Sequence, residues 1–240
     1  MSYLLYCIFG TAARQDQQLP AGIGRQPVLV VAHNGLSAAL SELGESDLVP
    51  GIAQTLAYER VVEHFFRDQT VIPMRYGCQL ENVSEVISLL EDHHEEYQKL
   101  LVDLEGLNEM GIRVLLEESE AGVKTDASLV PPDTSLGFSN PGTAYLAAKR
   151  EHFLGLDRAV LDQRLLADEL CVSLSGFFVR RRVESPDLTR SRLLSLYFLV
   201  PRTSLESFRQ ATRSLRTKES VKLLLSGPWP PYNFVDFLQP

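Results

Sequence analysis

The run His93-His94-Glu95-Glu96 is the stretch whose residue types most suggest chemistry, because two imidazoles beside two carboxylates could hold a divalent cation. Their spacing argues against it. Consecutive helix positions point about 100° apart, so four adjacent side chains do not converge on one ion. His64 adds no ligand: Arg60 one turn earlier repels a cation, and Asp68 one turn later is an ion-pair or hydrogen-bond partner. Ser173, Ser175 and Ser226 fall in strands or at a strand end, outside any GxSxG elbow, and nothing in the sequence pairs His152 with a nucleophile. A Walker loop and a GxGxxG turn are both missing. The expectation is a protein without catalytic residues, metal or cofactor.

Arg180, Arg181, Arg182, Arg190 and Arg192 form a basic hairpin end, and Gly176-Phe177-Phe178-Val179-Arg180 faintly resembles an aromatic RNA-binding stretch. That stretch falls on the second strand of its unit, whereas the longer signature belongs on the third. The formal charge of −8 also opposes phosphate binding, so no nucleic-acid partner is expected. The charge is uneven along the chain. Residues 1–142 carry 8 Lys+Arg against 21 Asp+Glu, and residues 143–240 carry 15 against 10. Opposite signs favour docking of the two parts, while two independently solvated faces are the plain alternative.

The elements that must position these residues follow from periodicity. Ser2–Phe9 reads as a strand, residues 11–27 as a polar loop, and Val28–Ala32 with Leu36–Leu43 as a hairpin about Asn34-Gly35. A helix over Ile52–Arg67 presents Tyr58, Val61, Val62, Phe65 and Phe66 on one face. Thr70–Tyr76 is a strand interrupted by Pro73, which predicts an edge or a bulge. A second helix from Val83 carries Val83, Ile87, Leu90, His94, Tyr97, Leu101 and Leu104 in one stripe, with His94 a hydrogen-bonded core histidine.

Beyond Gly111, Ile112–Leu116 is a strand and 119–142 is loop-like. A helix over about 141–170 follows, then a hairpin of Val172–Arg182 with Arg190–Val200, a helix bearing Leu205, Phe208, Ala211 and Leu215, and a strand Val221–Leu225. That order, β-α-β-β-α-β, is ferredoxin-like. The predicted fold is therefore α+β with two domains: residues 1–106, a smaller mixed sheet with two helices, and residues 107–240, an antiparallel sheet with both helices on one face. No apolar run approaches the roughly 20 residues that span a bilayer, the first residues read as a strand and not a signal peptide, and Cys7, Cys78 and Cys171 read as reduced thiols.

The end of the chain is unusual for a terminus. Gly227-Pro228-Trp229-Pro230-Pro231 removes three backbone donors, which predicts that ladder pairing stops there. A stiff tail then holds Trp229, the one tryptophan, with Tyr232, Phe234 and Phe237. Such a tail either covers the open end of its own core or docks on another protein.

Four stretches in order resemble the gas vesicle protein F/L family: YLLYCIFG, YERVVEHFFRDQTVIPMRYG, NPGTAYLAAKREHF, and YFLVPRTSLESF with GPWPPYNF. Tyr76, Cys78 and Asn233 stand where the family usually has Phe, Thr and Ser. The resemblance implies a non-enzymatic accessory or minor structural protein of gas vesicles inside prokaryotic cells. Its implied partners are the small hydrophobic shell protein and other gas vesicle accessory proteins, with no lipid membrane involved. Candidate contact residues are Arg75 and Tyr76 after Pro73, Arg180 and Arg182 on the basic hairpin, and Trp229, Tyr232 and Phe234 on the tail. A small-molecule-sensing module is the alternative, since ferredoxin-like domains often serve so.

Overall fold

A computed structural model describes residues 2–10, 19–44, 51–115, 149–150, 161, 163–184, 193–218 and 222–235. Its first sheet is organised about β1, Ser2–Gly10, where every residue from Leu4 to Phe9 is buried. A continuous apolar run is what a strand covered on both faces needs. The register slips between Leu5 and Cys7. Leu4, Tyr6, Cys7 and Phe9 consequently join one cluster, while Leu5 and Ile8 join another.

β2 (Leu29–His33) and β3 (Leu36–Leu43) form the expected hairpin, with positive φ at Asn34 and Gly35, the two-residue turn that matches strand twist. β4 (Val71–Pro73) lies at the opposite edge, so Pro73 occupies a position that tolerates a missing donor. A short strand, β5 (Gln79–Leu80), pairs with β1 and was not anticipated. The strand order is β2-β3-β1-β4, with β5 on β1.

Helix α1 (Ile52–Asp68) covers one face of this sheet with the five residues expected from its periodicity. The other face takes α2 (Val83–Asp92) and α3 (His94–Asp103), which the sequence pattern presented as one helix. Asn82 caps α2 by accepting from the Glu85 amide at 3.0 Å, while the Glu85 carboxylate accepts from the Glu81 amide at 2.7 Å. The break falls at His93, and it narrows the stripe. Val86, Leu90, Tyr97 and Leu104 are buried, whereas Val83, Ile87 and Leu101 are half-buried. His94 points its Nε2 to the Asn34 carbonyl at 2.9 Å, so it ties the helix pair to the hairpin tip.

The second sheet has the order β7-β8-β6-β9, antiparallel throughout, from β6 (Leu107–Leu115), β7 (Arg180–Glu184), β8 (Leu193–Pro201) and β9 (Lys222–Trp229). Counted within this unit the order is 2-3-1-4, the ferredoxin-like arrangement. Helical residues 163–173 (α4) and α5 (Leu205–Lys218) lie on one face: Met110, Ile112, Val114, Leu194, Leu196, Phe198 and Val200 meet Ala167, Leu170, Leu174 and Phe208 there. Among the described residues no helix is long and apolar enough to cross a membrane.

Three expectations for this unit need correction. β6 begins at Leu107, ahead of Gly111, because Leu104 and Gly106 end α3 and turn the chain straight into the sheet. Val172 and Ser173 close α4 instead of opening a strand; β7 starts only at Arg180. Phe178 packs edge-on to Phe198 at 5.0 Å, so the aromatic stretch that resembled an RNA-binding motif is spent on the core. Ladder pairing also does not stop at the prolines, for Trp229 still pairs with Glu109 across a register shift. β9 is an edge strand, and the shift sets Pro228 where the ladder asks for no donor. The 119–142 loop, most of the 141–170 helix, Phe237, Arg190 and Arg192 lie outside the described residues.

Candidate docking surface

Alternation on β6 decides which side chains leave the helix-covered core. Met110, Ile112 and Val114 turn toward the helices, so Glu109, Gly111 and Arg113 face the other way with Tyr197, Leu199 and Ser226 of the neighbouring strands. That outer face is partly covered by the tail. Pro230, Pro231, Phe234 and Val235 are buried, and Phe234 and Val235 share a cluster with Leu5, Ile72, Met74, Tyr97 and Leu199. The tail is thus a wedge between the two sheets.

A polar clamp holds the wedge. The buried Glu109 carboxylate accepts from the Asn233 amide at 2.8 Å and from Asn233 Nδ2 at 2.6 Å. Arg182 Nη1 donates to the Asn233 carbonyl at 3.1 Å, and the Arg180 guanidinium sits 5.6 Å above the Phe234 ring. Burial pushes the Glu109 carboxyl above its ordinary range, opposed by the two Asn233 bonds and the Arg182 charge. Sequence reasoning missed Glu109. Its one local signal was a lone glutamate entering an apolar strand, EMGIRVL, which periodicity reads as surface.

The candidate residues separate accordingly. Arg180, Arg182 and Phe234 meet at the clamp. Tyr76 stacks edge-on to Tyr58 at 5.4 Å in the α1 cluster, where Tyr232 also packs. Arg75 is exposed on the turn between β4 and β5. Trp229 stands out, being 39% exposed although both of the following prolines are buried. Leu224, on the same outer face, is 62% exposed. Trp229 borders a cleft of about 360 Å³ between α1 and the outer face, lined by Glu59, Glu63, Glu109, Arg113, Tyr197 and Tyr232 among others.

A second apolar area was also missed. Leu161, Leu165 and Val172 are exposed and spaced 4 and 7, so they lie on one side of their helix, opposite the buried Leu170 and Leu174.

Gly227 sets the direction of the Trp229 segment. Its φ is +104°, and a Cβ there would meet the Glu109 carbonyl oxygen at 2.7 Å. Gly227→Ala is expected to cost roughly 1–3 kcal/mol in urea unfolding, because both the conformation and the backbone contact resist a side chain. A cost near zero would mean that the approach of β9 to β6 is looser than described.

The fold defines a class: a two-sheet α+β protein whose tail ties a ferredoxin-like sheet to a second α+β unit. The sequence signature described as "Gas vesicle synthesis protein GvpL/GvpF" matches residues 2–236, and the chain belongs to that family. Gas vesicle protein F of a Streptomyces species is 25% identical over 238 residues, covering 95% of this chain and 98% of its own. Gas vesicle protein F of Haloferax mediterranei is 25% identical over 244 residues, covering 98% and 95%. Two crystal structures of the gas vesicle protein GvpF share the fold. That from an Anabaena species has a TM-score of 0.75 at 18% identity, covering 98% of this chain and 95% of the other. That from Microcystis aeruginosa has 0.73 at 16%, covering 98% of both. Family membership ties the chain to a gas vesicle role, in a family of structural and accessory proteins and not of known enzymes.

Proposed function

We propose that this protein is a non-enzymatic accessory component of gas vesicles that binds the small hydrophobic shell subunit and covers its apolar surface until it polymerises. It works at the gas vesicle, inside prokaryotic cells, beside other accessory proteins of the same organelle. A subunit that builds a water-excluding wall exposes apolar surface beforehand, and such surface aggregates unless covered. One observation carries the reading: the edge strand β9 leaves Leu224 and Trp229 exposed on the outer face, while the tail beyond Trp229 is anchored in the core. An edge strand offers unpaired backbone groups, and a held aromatic gives contact area at little entropic cost.

Within this reading Trp229 and Leu224 touch the partner, with Tyr76, Tyr232 and Phe234 supporting them from inside. Arg180 and Arg182 hold the tail, and Arg75 contributes from the β4–β5 turn. Residues 1–106 and 107–240 act as two units joined by the tail. The test is capture of the purified shell subunit. Trp229→Ala should weaken capture about tenfold or more, the size of an aromatic hot spot, while far-UV circular dichroism and the urea midpoint stay close to wild type. Unchanged capture would sink the assignment of Trp229, and a parallel loss of folding would return it to the core.

A further inference from the structure

The cleft beside Trp229 has a chemistry that the docking role does not explain. Its α1 wall presents Glu59 and Glu63, one turn apart on one face, and its floor holds the Glu109 carboxylate. Arg113 is the single basic side chain in the lining. Glu59 and Glu63 are half-buried, and among the described residues neither has an ion-pair partner. Two carboxylates on one wall with no ion pair of their own offer acceptors to a cationic donor that enters the cleft. Burial first, then Cys7, and after them the charges of Glu59, Glu63 and Glu109 raise the Tyr232 phenol.

The remaining walls select among cations. Trp229, Tyr197 and Tyr232 supply aromatic surface, Trp229 at the mouth. A planar guanidinium stacks on such rings while its fork donates to carboxylates, whereas a hydrated metal ion gains nothing from them. The stacking half of this combination occurs elsewhere in the chain: Arg202 lies 5.5 Å over the Phe66 ring, its fork donating there to a backbone carbonyl, that of Phe66, at 3.1 Å.

We propose that this cleft receives an arginine side chain of the partner protein, its guanidinium between the Glu59 and Glu63 carboxylates and the Trp229 ring. The inference rests on the docking role of the Trp229 surface and names the polar contact that orients it. Apolar contact alone fixes no register; a forked charged contact does.

The single tryptophan makes the experiment direct. The wild-type protein is titrated with N-acetyl-arginine amide and, in parallel, with the citrulline analogue, which keeps the shape and loses the charge. Trp229 fluorescence should change saturably with the arginine compound, at least about tenfold more tightly than with citrulline, and the response should weaken with added salt. Glu59→Gln/Glu63→Gln, checked for wild-type circular dichroism, should lose about the same factor. A linear response, or equal responses to the two compounds, would overturn the proposal, and neither result depends on the variant folding. Shell-subunit capture separates the two readings. If the wild type captures it and the double variant captures it equally well, the arginine site is wrong and the docking role stands. If the wild type fails to capture it, the docking role itself is wrong.

Discussion

Phe234→Ala should lower the stability of this protein by about 3–5 kcal/mol, the cost of emptying an aromatic site in a packed interior. The ring is 5% exposed, shares a cluster with residues of both sheets, and lies under the Arg180 guanidinium. Removing it opens a cavity between the sheets and leaves Arg180 without its aromatic partner. The readout is urea unfolding followed in two ways. Far-UV circular dichroism reports all of the secondary structure, whereas tryptophan fluorescence reports Trp229, five residues upstream on the same tail. In the wild type the two transitions should coincide, since the tail is part of one core. In the variant both midpoints should fall. A loss below about 1 kcal/mol would show that the tail is an appendage and not a wedge.

Glu109 should give an effect nearly as large, and one that depends on pH. Glu109→Ala strips two acceptors from Asn233 and removes the buried negative charge near Arg182, for an expected cost of about 3 kcal/mol or more at neutral pH. Glu109→Gln is the informative partner because it keeps the shape and one acceptor. Burial raises the folded-state value of this carboxyl, so the folded protein binds the proton more tightly than the unfolded chain does. The contribution is therefore fully present below the ordinary glutamate value and is lost as pH rises through the higher folded-state value. Stability of wild type relative to Glu109→Gln should fall over that window and level off above it. A difference that instead grew with pH would mean that Asn233 and Arg182 outweigh burial, and that the clamp is held by an ionised carboxylate favoured by the fold.

The exposed Trp229 and the buried residues that follow it divide the labour of the tail. Stiff proline-flanked backbone lets one aromatic face outward while its neighbours hold position, and the exposed ring then needs little further ordering on binding. Arg202 secures the same arrangement from the other side by reaching from the ferredoxin-like unit to α1.

Much of this was legible in the residues alone. The apolar run of β1, the Asn34-Gly35 turn, the buried face of α1 and the βαββαβ order all follow from local rules, because period and turn chemistry act over a few residues. The ordered family stretches pointed to gas vesicles because such a signature is read from residue identities in order along the chain, which needs no tertiary information. The break at His93, the extension of α4 through Ser173 and the continuation of β9 past Pro228 were not legible, since each is settled by what the segment packs against. The same holds for the clamp. Glu109 and Asn233 are separated by 124 positions, and no periodicity links them. Sequence by itself determined which faces of the elements are apolar and where most of them turn. Tertiary structure alone decided which buried charge meets which donor and which aromatic remains outside, because a single fold must satisfy every buried polar group at once, however far apart its partners lie along the chain.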